Sequence, residues 1–137
     1  MSNVEERFQA FYNGSLEAVY KICPVMGRKG TDECMYDRGW ELTKSAKQKW
    51  SMFIRKWYDK YYGAMFELIN ATKGIDWEQL GTLFVCSMTG QGTGLWDIPN
   101  VGTRGKQLNK VAKEFYNGEI NLYIRSGKYC DFETPRF

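Results

Sequence analysis

Not one histidine occurs among the 137 residues of this chain. Imidazole is the side chain whose ordinary pKa suits acid/base work near neutral pH. Its absence removes Ser-His-Asp and Cys-His catalysis and His-ligated zinc hydrolysis at a stroke. Cysteine is sparse as well. Cys23, Cys34, Cys86 and Cys130 stand in unrelated segments with no CxxC pair, so neither a thiolate metal site nor a cofactor is expected, and nothing supports a Cys23–Cys34 disulfide. There is no apolar run near the roughly 20 residues of a membrane span, and the opening MSNVEERF is too polar for a signal peptide. No membrane is expected as a partner, and the expected setting is a cytoplasm. Excess charge is also missing: 19 basic against 16 acidic side chains leave +3, too balanced for a dedicated duplex binder and the wrong sign for an acidic DNA mimic.

What is present is aromatic. Phe, Trp and Tyr make up 16% of the chain, more than a disordered segment carries, and the length suits one core burying about two thirds of the unfolded surface. The expectation is a single domain over 1–137, mainly helical over 1–74 and mixed over 75–137. Ser2 and Glu5 have capping-box spacing ahead of Phe8, Phe11 and Tyr12, and Asn13-Gly14 reads as the stop of that first helix. Ser15 then opens a second short helix, striped by Leu16, Val19, Tyr20 and Cys23 and ended by Pro24. Residues 25–32, VMGRKGTD, read as an exposed connector.

The strongest helical pattern lies over 41–70, where Trp50, Phe53, Ile54, Trp57, Tyr61, Met65, Leu68 and Ile69 recur at three- and four-residue steps, with Gly63 as a weak point. Tyr58, Tyr62 and Phe66 widen its apolar surface. Either the helix is sandwiched, which is the favoured reading, or one aromatic face is left for a partner. Lys44, Lys47, Lys49, Arg55, Lys56 and Lys60 make its other side basic.

The C-terminal part reads as a strand over 83–88, in which Cys86 alternates with Phe84 and Met88, a short pairing segment at Leu95-Trp96, a helix striped by Leu108, Val111, Ala112 and Phe115 that closes at Asn117-Gly118, and a hairpin of 120–124 with 128–132 about Ser126-Gly127. The fold class that follows is α+β: N-terminal helices with one long aromatic-rich helix, packed on a small antiparallel sheet of three or four strands plus a C-terminal helix. Phe84 and Trp96 are expected in the core.

The run LGTLFVCSMTGQGTGLWD over 80–97 sets Gly90, Gly92 and Gly94 at every second position and re-anchors the chain with Leu95, Trp96 and Asp97. Backbone amides in such a turn can nest an anion, with Arg104 and Lys106 close in sequence. A phosphate-binding loop over 102–107 fails, because residue 100 is Asn and Gln107 stands where Ser or Thr binds magnesium. With Gly105, Leu108, Ala112-Lys113, the strand over 120–124 and the turn at Ser126-Gly127, the run resembles a family of small bacteriophage proteins marked by GxGxG-aromatic-Trp-Asp, a G-x-x-L helix and a closing hairpin. The resemblance covers about 80–131. Gln91 stands here where family members often carry histidine, and Met88-Thr89 where they carry Arg-Asn. It implies a viral protein at work in the cytoplasm of an infected bacterium and brings no assigned chemistry.

Three functional expectations follow. The first is a non-enzymatic accessory protein that binds a host bacterial protein and modulates or inhibits it, with Arg28, Lys29, Trp40, Lys56, Tyr58 and Tyr62 as contacts. The alternative is single-stranded nucleic-acid binding along the basic aromatic helix. The third is a small anionic ligand at Gly90, Gly92, Gly94, Arg104 and Lys106.

Overall fold

The computed structural model describes residues 3–26, 33–92, 94–95 and 102–133, so Ser2, Arg28, Lys29, Trp96 and Asp97 lie outside the described residues. Its elements run α1 (Val4–Ile22), α2 (Met35–Arg38), β1 (Glu41–Leu42), α3 (Lys44–Ala71), α4 (Trp77–Thr89), α5 (Gly102–Phe115), β2 (Leu122–Ser126) and β3 (Tyr129–Phe132). The class is α+β. Among the described residues no helix is long and apolar enough to cross a membrane.

α1 corrects the expectation of two short helices. Asn3 caps it by accepting from the Glu6 N–H, and the helix runs unbroken through Asn13-Gly14. Gly14 is where α4 comes closest: a Cβ there would overlap the Glu78 carbonyl, and one at Gly81 would overlap the carbonyl of Phe11. The missing side chains therefore serve a helix crossing rather than a stop. Thr82 fastens the crossing by donating to the Gly14 carbonyl at 2.9 Å.

α4 is the second correction. The expected strand over 83–88 is helical, entered through a capping box in which Asp76 and Gln79 bond each other's backbone N–H. Gly90, at φ 72°, ends it in the left-handed conformation that glycine adopts without strain. Phe84 is in the core as expected. Leu95 belongs to no strand; it is buried, and its N–H donates to Ser87 Oγ at 2.8 Å.

α3 fills most of its expected span. Its backbone leaves helical geometry at Tyr61 (φ −110°, ψ 17°), ahead of the exposed Gly63. Trp50, Trp57 and Tyr58 are fully buried. Trp57 stacks on Phe84 with ring centres 4.3 Å apart, Phe53 on Phe115 at 4.7 Å and Trp50 on Phe132 at 5.4 Å. One aromatic core thus joins α1, α3, α4, α5 and the sheet.

The hairpin is present as β2 and β3, with Leu122 opposite Phe132 and Ile124 opposite Cys130. The sheet is mixed rather than antiparallel throughout. β1, which no periodicity announces, lies parallel to β3, and the order is β1-β3-β2. Leu122, Cys130 and Phe132 point into the core, while residues 123–129 are exposed.

Candidate functional site

Beyond Cys23 the chain forms a small clasp. Pro24 bridges Cys34 in antiparallel fashion, and the Val25 N–H donates to the Glu33 carbonyl at 2.9 Å. The single turn α2 follows, with Asp37 accepting from both the Cys34 N–H and the Cys34 thiol. Met35 is fully buried and pins the turn to the core, and the Trp40 N–H returns to the Met35 carbonyl at 3.0 Å.

On this anchored turn Tyr36 is 68% exposed. The Arg38 guanidinium lies 5.3 Å from the centre of the half-buried Trp40 ring and pairs with Glu33 at 3.2 Å. The exposed Met26 stands across the clasp. A tyrosine, an arginine and a tryptophan held on one short, pinned segment are the side chains that carry most energy at protein interfaces.

The residues expected at a partner contact separate in the structure. Trp40 joins the α2 surface, and Lys56 is exposed on α3. Tyr58 is a correction, because it lies wholly inside and donates its hydroxyl to the Val4 carbonyl at 2.7 Å. Burial pushes its phenol well above the ordinary range. Tyr62 is half-buried, stacked on Trp77 at 5.2 Å and accepting from Arg7. Most of the aromatic face of α3 therefore serves the core, with Phe66 left exposed at its edge, and the outer side carries lysines and the 70% exposed Met52.

At the glycine turn, the Gly90 N–H is already used on the Cys86 carbonyl at 2.9 Å, Gly92 is exposed and Gly94 is buried. The turn sits at the carbonyl end of α4, where the helix dipole presents negative charge. Arg104 is exposed on α5 and lines an α3–α5 groove of about 330 Å³ with Tyr61 and Glu67, while Lys106, exposed on the same helix, is not part of that lining.

All four cysteines are free. Burial raises the thiols of Cys23, Cys86 and Cys130, the last to about 11, so they stay protonated at neutral pH. Among the described residues no group of Cys, Asp and Glu is arranged to hold a metal ion. Sequence reasoning missed Tyr36 and Arg38. The readable signal was MYDRGW itself, a capping carboxylate and a terminal glycine set among Tyr, Arg and Trp.

With this fold in view, comparison with family models, curated proteins and solved structures returned no match.

Proposed function

We propose that this chain is a small accessory protein, of the kind a bacteriophage makes in an infected bacterium, which binds a host protein and modulates or inhibits it in the host cytoplasm. The observation that carries the reading is the surface at α2, where a buried Met35 and a backbone clasp hold Tyr36 and Arg38 outward beside the half-buried Trp40. Preorganised aromatic and arginine side chains lose little entropy on binding, which favours affinity over a mobile loop. The resemblance of 80–131 to small phage proteins supplies the viral setting.

The test is a tagged protein expressed in a susceptible bacterium and purified with nuclease at moderate salt, beside Tyr36→Ala and Arg38→Ala. Both side chains are largely exposed, so both variants should keep the wild-type melting temperature. A stoichiometric host protein retained by the wild type and lost by the variants is the expected result. Each variant should weaken the complex by about 2 kcal/mol. A complex indifferent to both would overturn this surface, and recovery of the tagged chain alone would overturn the proposal.

A further inference from the structure

A second surface is built on the opposite principle, a sheet face with no helix over it among the described residues. In β2 and β3, Leu122, Cys130 and Phe132 face the core, and the alternate positions Tyr123, Tyr129 and Asp131 face outward. Arg125 joins them at the bulge between Ile124 and Ser126, pairing with Asp131 at 2.9 Å. Tyr123 and Tyr129 are 37% and 43% exposed. Tyr123 is opposite Asp131, so Tyr129 is its diagonal neighbour, about 7–8 Å away. That is close to the step between adjacent bases on an extended strand.

Charge around the two rings is mixed but basic on balance. Asp131 takes Arg125 and the Thr43 hydroxyl and Glu41 takes Lys128 at 3.4 Å, while Glu133, just past β3, is exposed. Lys49 also lies near enough to Asp131 to favour its carboxylate. Thr43 leads directly into α3, whose first turns carry Lys44, Lys47 and Lys49 with no acidic residue in the first turn. None of these lysines makes an ion pair among the described residues. They also sit at the end of α3 where a cation opposes the helix dipole, so the helix itself gains nothing from them.

We infer that this outer sheet face binds single-stranded nucleic acid, with bases stacked on Tyr123 and Tyr129 and phosphates met by Arg125, Lys44 and Lys49. An acidic protein would satisfy the lysines, but two rings about one base step apart suit successive stacked bases. A duplex keeps its bases stacked on each other and offers none to the rings. The stacking platform expected on α3 is thereby replaced by one on the sheet, because Trp50, Phe53, Trp57 and Tyr58 of α3 are in the core. This site is separate from the α2 surface and stands or falls without it.

The test is fluorescence anisotropy of a labelled 15-mer of deoxythymidine, dT15, with the full chain. A duplex of equal length and a poly-glutamate peptide serve as competitors. The wild type should bind dT15 in preference to both, and three phosphate contacts predict a log–log salt slope of about −2. Tyr123→Ala with Tyr129→Ala should weaken binding about tenfold or more, and the paired Phe substitutions should preserve it. Lys44→Ala with Lys49→Ala should flatten the slope by about 1.4. Tyr36→Ala should change nothing. Circular dichroism confirms that each variant is folded. Absence of dT15 binding at low salt, equal preference for duplex or poly-glutamate, or indifference to the tyrosine pair would each overturn the inference.

Discussion

The Trp50 indole N–H donates to Ser15 Oγ at 2.9 Å, and Ser15 in turn donates to the Tyr12 carbonyl at 2.7 Å. Both residues are fully buried, so this short relay is what lets a tryptophan of α3 place its polar edge against α1 without water. Ser15→Ala strands the indole N–H and should cost about 1–3 kcal/mol in urea denaturation. In a double-mutant cycle, Trp50→Phe should make the Ser15 substitution cheaper, since no buried donor is then left unpaired.

The α1–α4 crossing predicts an asymmetry among glycines. Gly14→Ala and Gly81→Ala each drive a methyl group into the facing backbone and should each destabilise the protein by about 3 kcal/mol or more. Gly63, within α3 and with nothing within 4 Å of a new Cβ, should behave in the opposite sense. Gly63→Ala should stabilise by about 0.5–1 kcal/mol. Thermal melts of the three variants side by side are the check.

Thiol chemistry should divide the cysteines. Cys34 is half-exposed, whereas Cys23, Cys86 and Cys130 are buried. A disulfide reagent should therefore label one thiol quickly in the native protein and the rest only on unfolding. Raised thiol pKa values stabilise the fold while the unfolded thiols are still protonated. That contribution should disappear as pH climbs from about 9, the ordinary thiol value, towards 11, where Cys130 titrates. Chemical denaturation across that range would show it, and Cys130→Ala should lessen the slope.

Acid acts through Asp131. Burial pushes its carboxyl up, but hydrogen bonds from Thr43 and Arg125 outweigh this and leave it below the ordinary aspartate range. The charged form is thus favoured in the fold. Its contribution is full above about pH 4 and is lost as pH falls below that value. Asp131→Asn should be less stable than the wild type at neutral pH and should lose less on acidification.

Much of this was legible in residues spaced by the helix period. The aromatics of α3 and the alternation of β2 and β3 both report one buried face, which is what periodicity measures. α4 was misread because its second half is buried nearly all round, at Phe84, Val85, Cys86, Ser87 and Met88. A helix enclosed on every side shows no polar face, and a short apolar run then looks like a strand. Its capping box, Asp76 with Gln79, was the better witness. Gly14 misled for a related reason: a glycine that lets two backbones touch is written like one that ends a helix. β1 left no trace because two residues have no period, and only its pairing with β3 defines it. The candidate surfaces were half visible. Trp40, expected as a contact, lies beside α2; Tyr36 was not singled out, and Tyr58 and Tyr62 were assigned outward because a wide aromatic band does not say which edge a neighbouring helix will cover.

The sheet order β1-β3-β2 puts β3, the latest of its three strands in sequence, in the middle. Thr43 and Asp131 meet across 88 positions of sequence, and Trp50 awaits Phe132 for its stacking partner. A nascent chain can wind its helices early, yet it holds β1 and β2 apart until Tyr129–Phe132 has emerged to lie between them. Arrival of β3 is therefore the closing step of sheet assembly, and a product cut short before Tyr129 would forfeit the pairing of both β1 and β2.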